Sequence, residues 1–339
     1  MSRAIKRSRL EAAQDPEARL GRLLGPAFAD YRRRFRQAEA GHRPAAPLHL
    51  DVDVTTACNF HCPMCPAGQS GHFFPGLTRG LFLDHELYRG ALAEGAALGL
   101  PSLRLGLTGE PLLIGDIHQW VAEAKDAGFL DLSLITNGSL LTPERSQKLL
   151  EAGLTRLMVS VDAARPETYA QVRPGGCWET LRENLAAFLA VRRAAGSELP
   201  LLRLSFVEMK TNLAERDLFQ ELFAPLADYL SFQRYQNILG LPETDFAPAP
   251  APEADPADFC AEPFTRLALQ ADGGLFPCCS DFGRQAPLGR FPQNSLAEVW
   301  NSPEALRLAS PGAADRPPCR QCRGRDLGPG APDPLAVER

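Results

Sequence analysis

Residues 58–65 read CNFHCPMC, and they follow shortly after residues 48–54, which read LHLDVDV. The earlier stretch alternates strictly between apolar and polar side chains, which predicts a β-strand with one face in a core. The later stretch places Cys58, Cys62 and Cys65 in the loop after that strand, at the carboxyl end where parallel sheets hold ligands. Three thiolates suit soft metals, above all iron–sulfur clusters. Because a four-iron cluster would then lack one protein ligand, one iron would stay open to a substrate or cofactor.

In the rest of the chain, predicted strands alternate with predicted helices. Five more short strands are predicted, at residues 102–107, 131–136, 156–161, 201–208 and 229–235. Helical patterns separate them, at residues 84–98, 116–127, 143–152, 178–194 and 213–226. These βα-type units predict an α/β fold with a parallel sheet.

The two faces of the predicted strands differ in polarity. Parallel strands that are buried on both sides are apolar throughout, whereas here one face carries polar side chains such as Arg104, Ser160, Arg203 and Tyr235. We expect the apolar face to pack on the helices and the polar face to line the inside of a curved sheet, as a cavity for a polar ligand. A sheet with one solvent-exposed face is the alternative.

Composition sets the broad class of the protein. The 339 residues are 45% apolar and 23% charged, which suits one large core and a small second unit. No apolar run is long enough to cross a membrane and no signal-peptide core follows the first residues, so we expect a cytoplasmic protein without a membrane partner. The formal charge of -5 argues against nucleic acid as a partner.

The N-terminal segment has the opposite charge. Residues 1–46 hold eleven Lys and Arg residues against five acidic ones, which predicts a basic helical arm. A solvated helix that packs beside the sheet is favoured over a site for an anionic partner.

A second group of cysteines lies near the end of the chain. Disulfides rarely persist in the cytoplasm, so nine cysteines point to metal. Every histidine lies at or before His118, so a metal bound in residues 259–327 has an all-thiolate shell, which suits zinc or a fully ligated cluster. This segment has too few apolar residues to build much core alone, so a bound metal would organise it. The preceding residues 240–258, rich in Pro and Ala, predict a semi-rigid linker.

The cysteine motif, together with Thr108-Gly109-Glu110-Pro111 after the second strand, resembles the radical S-adenosylmethionine (SAM) superfamily over about residues 47–236. The resemblance implies a partial (βα)6 barrel. It also implies a [4Fe-4S] cluster whose open iron binds SAM and whose electron cleaves SAM to a 5′-deoxyadenosyl radical that abstracts hydrogen. Thr108 stands in place of the usual first glycine of this motif, and Met64 in place of the usual aromatic residue.

The resemblance also implies residues that bind SAM. By position, Gly109 and Glu110 take its amino group, Ser160 its ribose and Arg173 its carboxylate region. Asn137, in the turn after the third strand, is a further candidate contact, and its place in a turn explains it equally well.

Residues 259–327 resemble the shortened SPASM or Twitch module of radical SAM enzymes, which carries one auxiliary [4Fe-4S] cluster. Its four ligands correspond to Cys260, Cys278, Cys319 and Cys322. Cys279 and Cys177 match no ligand position. Zinc is the alternative metal.

The favoured reaction is dehydrogenation of a secondary alcohol in a sugar or aminocyclitol, with the auxiliary cluster as the second electron acceptor. The inward residues Tyr235, Asp53, Arg203 and Arg104 are candidates for the base, and each also suits substrate binding or a structural role. A flavodoxin- or ferredoxin-type protein is the expected electron donor.

Three alternatives stay open. The first is epimerisation, in which Cys279 or Cys177 returns a hydrogen atom. The second is modification of a ribosomally made peptide, although residues 1–46 lack the strand-rich pattern of a leader-binding domain. The third is a zinc-bound structural or interaction protein.

The predicted division of the chain has five parts. They are an arm at 1–46, the barrel at 47–239, a linker at 240–258, the auxiliary-cluster domain at 259–327 and a tail at 328–339.

Overall fold

The computed structural model describes residues 9–65, 78–235, 246–248, 260–281, 284–310 and 319, and ten strands within them form one sheet. The strands are β1 (Arg9–Glu11), β2 (His49–Val52), β3 (Ser102–Leu105), β4 (Asp131–Thr136), β5 (Arg156–Ser160), β6 (Leu201–Glu208), β7 (Tyr229–Arg234), β8 (Arg266–Leu269), β9 (Gly274–Phe276) and β10 (Gly289–Arg290). The helices are α1 (Pro16–Leu24), α2 (Pro26–Glu39), α3 (His85–Ala97), α4 (Ile117–Asp126), α5 (Pro143–Glu151), α6 (Pro166–Val172), α7 (Trp178–Ala194), α8 (Arg216–Phe223), α9 (Glu262–Thr265), α10 (Leu296–Trp300) and α11 (Pro303–Leu308).

Strands β2 to β7 lie side by side in chain order, and each neighbouring pair among them is parallel. Helices α3 to α8 connect them. The predicted α/β fold with a partial (βα)6 barrel is therefore confirmed. The apolar face of the strands packs on the helices, since Leu103 and Val159 share one buried cluster with Leu92 of α3 and Trp120 of α4.

One predicted helix is shorter than expected. Residues 213–226 form a 3₁₀ turn at Leu213–Glu215, followed by α8. The side chain of Glu215 accepts a hydrogen bond from the backbone N–H of Ala164 at 2.7 Å, which ties the turn to the loop after β5.

The N-terminal arm closes the end of the barrel at which the strands begin. Leu20, Phe28 and Tyr31 of α1 and α2 pack there with Leu201 and Tyr229, the first residues of β6 and β7. The arm also contains β1, a strand that was not predicted and that pairs antiparallel with β7. The arm therefore packs on the barrel as expected, and β1 in addition covers an edge of the parallel sheet.

The C-terminal segment extends the same sheet. Strand β8 pairs in parallel with β2, and β9 and β10 follow as antiparallel strands. Leu267, Leu296 and Trp300 belong to the main buried cluster together with the barrel strands. The described part of this segment is therefore organised by pairing with β2 and by packing on the barrel, although we expected a bound metal to organise it.

Several predicted features lie outside the described residues. They include Cys322, the tail at 328–339 and most of the predicted linker at 240–258. The described linker residue Phe246 accepts a hydrogen bond from the backbone N–H of Lys210 at 2.9 Å, and its ring contacts that of Tyr235. None of the helices in the described ranges is long and apolar enough to span a membrane.

Candidate functional site

The first group of cysteines lies in the loop that follows β2, as predicted. Cys62 is buried, whereas Cys58 and Cys65 are half-buried. Phe60, between the first two cysteines, is 1% exposed and belongs to the main buried cluster. The loop is therefore anchored in the barrel core while two of its three thiols stay partly accessible.

The connection between α6 and α7 holds this loop from the other side. The backbone N–H of His61 donates to the carbonyl of Pro174 at 2.9 Å. A Cβ added at Gly176 would meet the ring of Phe60 at 2.7 Å and the hydroxyl of Tyr169 at 2.8 Å. The close approach requires glycine at position 176.

Two N–H donors point at the sulfur atoms. The backbone N–H of Phe60 lies 3.4 Å from Sγ of Cys58, and Nη1 of Arg173 lies 3.7 Å from Sγ of Cys62. Burial raises the pKa of the Cys58 thiol, and the N–H of Phe60 acts against that rise. Donors aimed at sulfur stabilise thiolates, so the donor set fits an anionic iron–sulfur cluster. No three His, Cys, Asp or Glu side chains lie close enough to hold a single metal ion in the described ranges.

The loop after β3 packs directly on the cysteine loop. The backbone N–H of Glu110 donates to the carbonyl of Ala57 at 2.8 Å. A Cβ added at Gly109 would overlap the carbonyl oxygens of Thr55 and Ala57. The two sequence motifs therefore form one unit in space, and glycine at position 109 makes the contact possible.

The carboxylate of Glu110 is 2% exposed and accepts three hydrogen bonds. The donors are the hydroxyl of Thr136 at 2.6 Å and the backbone N–H groups of Asn137 at 2.7 Å and Leu112 at 3.0 Å. Burial raises the pKa of Glu110, and these donors and Arg173 oppose the rise. Glu110 thus joins the loops after β3 and β4, a structural role that was not predicted from the sequence.

Asn137 links the same region to the cysteine loop. Its Nδ2 donates to Oδ1 of Asn59 at 2.8 Å, and Nδ2 of Asn59 donates to Oγ of Ser139 at 2.9 Å. Asn59 is a residue that the sequence interpretation missed, and its position between Cys58 and Cys62 was the available signal.

Asp53 and Thr108 form a buried pair next to these loops. The hydroxyl of Thr108 donates to Oδ2 of Asp53 at 2.6 Å, and the backbone N–H of Thr108 donates to Oδ1 at 3.1 Å. Burial raises the pKa of Asp53 to about 6, although both donors oppose the rise. The threonine that replaces the usual glycine therefore supplies a hydrogen bond that glycine lacks.

Arg173 and Ser160 lie near the carboxyl end of β5. The guanidinium of Arg173 pairs with the fully buried carboxylate of Asp162, whose Oδ1 also accepts from the backbone N–H of Val207 at 2.8 Å. Ser160, the last residue of β5, is half-buried. The pairing of Asp162 with Arg173 was not predicted from the sequence.

A charged network fills the middle of the barrel. Asp51 of β2 is fully buried and lies 2.7 Å from Arg104, 3.2 Å from Arg266 and 2.8 Å from His49. Burial acts to raise the pKa of Asp51, but these neighbours hold it well below its ordinary value. The polar barrel interior that the strand faces predict is therefore present.

The C-terminal cysteines are distributed around β8 and β9. Cys278, after β9, is 7% exposed, and Cys260 and Cys319 are half-buried. Cys279 acts on the pKa of Arg104, an inward residue of β3, and raises it. Their ligand roles, with Cys322 outside the described residues, stay predictions.

Two remaining candidates lie at the edges of the site. Cys177 is exposed before the first residue of α7, and its Sγ donates to Oε2 of Glu179 at 3.3 Å. Tyr235 is 8% exposed after the end of β7.

A parallel barrel with three cysteines at its carboxyl edge suits an iron–sulfur protein. A model of the radical SAM superfamily matches residues 52–201, and a model of the SPASM iron–sulfur cluster-binding domain matches residues 260–323. The chain belongs to the radical SAM superfamily and carries a SPASM domain. Its cofactors are SAM, a [4Fe-4S] cluster and an auxiliary iron–sulfur cluster.

Known relatives resemble this chain over different lengths. It is 31% identical over 144 residues to a GTP 3′,8-cyclase of Limosilactobacillus fermentum, a match that covers 42% of each protein. The chain spans about two-fifths of the length of the first curated relatives it matches.

Two solved structures share the fold. One is BtrN in complex with AdoMet and 2-DOIA, with a TM-score of 0.52 and 15% identity, covering 80% of this chain and 90% of BtrN. The other is SuiB of Streptococcus suis bound to its precursor peptide SuiA, with a TM-score of 0.61 and 14% identity, covering 84% of this chain and 71% of SuiB.

Proposed function

We propose that this enzyme is an oxidoreductase that removes two hydrogens from a polar substrate, favoured as a sugar or aminocyclitol whose secondary alcohol becomes a ketone. The observation that carries the proposal is the pairing of β8 with β2, from His49↔Arg266 to Val52↔Leu269. Cys58 follows β2, and Cys278 follows β9, the strand next to β8. Both cysteine segments therefore border one barrel, which suits a reaction that needs both.

The barrel interior suits a substrate with hydroxyl groups. Its inward side chains offer hydrogen-bond donors and acceptors on neighbouring strands, namely Arg104, Ser133, Arg203, Ser205, Ser231 and Gln233. A polar ligand loses water on entering such a site and recovers hydrogen bonds there.

The cofactors have matching residues at the carboxyl edge of the barrel. We assign the [4Fe-4S] cluster to Cys58, Cys62 and Cys65, and SAM to Gly109, Glu110, Asn137, Ser160 and Arg173. When bound, SAM supplies the radical that takes a hydrogen atom from the substrate. The carboxylate of Glu110 suits the SAM ammonium group, and the guanidinium of Arg173 suits its carboxylate.

The oxidation also releases one electron and one proton. The auxiliary cluster, assigned to Cys260, Cys278, Cys319 and Cys322, is the electron acceptor that the chain offers. Arg104 and Arg203 do not suit the role of base, because arginine stays protonated at all working pH values. The ring of Tyr235 packs on that of Phe246. Asp53 is the carboxylate of the set, and its pKa of about 6 suits a base at neutral pH.

Anaerobic turnover tests this function. The reconstituted protein, excess reductant and SAM are incubated with a panel of sugars and aminocyclitols, and products are measured by mass spectrometry. We expect 5′-deoxyadenosine and a product two hydrogens lighter than its substrate. Formation of 5′-deoxyadenosine without such a product contradicts the proposal.

Epimerisation is the second candidate because Cys279 acts on the pKa of Arg104, an inward residue of the barrel, and therefore lies near it. A thiol in that place suits return of a hydrogen atom to a substrate radical. Turnover in deuterated water separates the two reactions, since epimerisation labels a carbon of the product and dehydrogenation does not.

A further inference from the structure

We propose that Arg203 binds an anionic group of the substrate, a carboxylate or a phosphate, inside the barrel. The inference rests on the proposed function only in taking the ligand to be the substrate. Its anionic character is argued from the charges of the barrel interior.

Arg203 is half-buried, and five other buried or half-buried arginines of the barrel and arm each have a carboxylate partner. The pairs are Arg32 with Glu17, Arg104 with Asp51, Arg156 with Asp131, Arg173 with Asp162, and Arg266 with Glu262. Arg203 has no such partner within the described ranges. Its Nη1 lies 3.5 Å from Sδ of Met158, which is a neutral and weak acceptor.

The position of Arg203 places its charge in the barrel interior. It lies on β6, in register with Met158 of β5 and Tyr229 of β7. Arg104 lies on β3, which β4 and β5 separate from β6, and both Arg104 and Arg203 belong to the polar inward face of the sheet. Burial lowers the pKa of Arg203, and Arg104 lowers it further, whereas Tyr229 opposes the change.

A guanidinium that has no carboxylate partner inside the barrel destabilises the protein when no ligand is bound. The desolvation penalty is not avoided by deprotonation, because the pKa of arginine lies too far above neutral pH. An anion would remove the excess positive charge and accept hydrogen bonds from the planar fork, which matches carboxylate and phosphate groups. Ser205 and Ser231, in register with each other on β6 and β7, lie two residues along the strands and offer further hydroxyl groups to the same ligand.

The first test measures thermal stability of the SAM-loaded holoenzyme with and without millimolar inorganic phosphate at constant ionic strength. We expect phosphate to raise the Tm of the wild type and not that of Arg203→Met. Without phosphate, the variant should have an equal or higher Tm, because it lacks the unmatched charge. Arg182→Met, an exposed site on α7, is the matched control and should respond as the wild type does.

Each remaining outcome of this test overturns the proposal. A wild type that does not respond to phosphate lacks the site, and an Arg203→Met variant that responds equally shows binding elsewhere. A variant that is less stable than the wild type or does not fold shows that Arg203 is a structural residue.

The second test identifies the kind of anion by calorimetry, with glucose, glucose 6-phosphate and glucuronate as probes. We expect the wild type to bind one of the two charged probes at least about tenfold more tightly than glucose, and Arg203→Met to lose that preference. A phosphate site favours glucose 6-phosphate and a carboxylate site favours glucuronate. Equal binding of all three probes, or a preference that survives in Arg203→Met, contradicts the proposal.

These tests do not depend on turnover. If phosphate and the charged sugars do not bind at Arg203, the proposed oxidation is not contradicted. If no oxidised product forms, an anion site measured at Arg203 still stands.

Discussion

The backbone N–H of Glu110 donates a 2.8 Å hydrogen bond to the carbonyl of Ala57, the residue before Cys58. This bond joins the loop after β3 to the loop after β2, so the two sequence motifs are held in one arrangement. Gly109 lies at the contact, where a Cβ would overlap the carbonyl oxygens of Thr55 and Ala57. Because both overlapping groups belong to the backbone, neither can move aside as a flexible side chain would.

Gly109→Ala should therefore displace the cysteine loop and reduce loading of the first cluster. We expect the reconstituted variant to bind about four irons in place of the roughly eight of two [4Fe-4S] clusters, and to lose SAM cleavage. Gly115→Ala is the control, since a Cβ there meets no atom within 4 Å. Iron and sulfide analysis after anaerobic purification checks the result, and full iron content in Gly109→Ala would contradict it.

The raised pKa of Asp53 predicts a pH dependence of stability. Its folded-state pKa of about 6 lies above the ordinary 3.8, so the folded protein holds this proton more tightly than the unfolded chain does. Stability is therefore lost as pH rises from about 4 to about 6, and the loss amounts to about 3 kcal/mol above that range. Asp53→Asn has no proton to lose. Its free energy of unfolding, relative to that of the wild type, should therefore rise from about pH 4 to about pH 6. Urea unfolding under anaerobic conditions at several pH values measures this difference. A difference that stays constant with pH would contradict the raised pKa of Asp53.

Thr108 offers an independent check on the same pair. Thr108→Val keeps the shape but removes the hydroxyl that donates to Oδ2 of Asp53 at 2.6 Å. The ionised carboxylate then lacks a hydrogen bond, so we expect a loss of about 1.5–3 kcal/mol at pH 8. Thr108→Ser keeps the donor and should stay within about 1 kcal/mol of the wild type. Equal losses in both variants would show that packing of the methyl group matters and the hydrogen bond does not.

The barrel could be predicted because local patterns determine it. Alternation in residues 48–54 indicates a strand, and the order of strands and helices indicates a parallel sheet. The polar inward face was visible in the same alternation at Arg104 and Arg203. The cysteine spacing and Gly109-Glu110 then predicted a site at the carboxyl ends of the strands, where the structure places these residues.

Contacts between distant parts of the chain could not be predicted in this way. Pairing of β8 with β2 joins residues more than two hundred positions apart, and no pattern within β8 specifies its neighbour. Strand β1 is three residues long, too short for a reliable alternation signal. The amphipathic pattern of α2 indicates a buried face at Phe28 and Tyr31 but not the barrel end that it covers.

Substitutions in the two groups of cysteines should affect SAM cleavage and substrate oxidation differently. Cys62→Ala should abolish SAM cleavage, because Cys62 is one of the three ligands proposed for the cluster that binds SAM. Cys278→Ala should reduce the iron content by about four atoms and retain SAM cleavage, but yield no product two hydrogens lighter. Cys177→Ala, at an exposed site, is the control and should match the wild type in all three measurements. Full substrate oxidation by Cys278→Ala would remove the auxiliary cluster from the reaction.

The arm should stabilise the barrel without taking part in the chemistry. Leu20 of α1 is 0% exposed and packs with Phe28, Tyr31 and Leu201 at the end where the strands begin, opposite the cysteine loop. Leu20→Ala should lower the free energy of unfolding by about 2–5 kcal/mol, because it leaves a cavity under the barrel. Leu222→Ala, at a helix position that is 45% exposed, should cost about 0.5 kcal/mol or less. Urea unfolding measures both changes, and SAM cleavage by the folded Leu20→Ala variant should equal that of the wild type. If Leu20→Ala and Leu222→Ala lower the free energy of unfolding equally, the arm does not stabilise the barrel as its packing indicates.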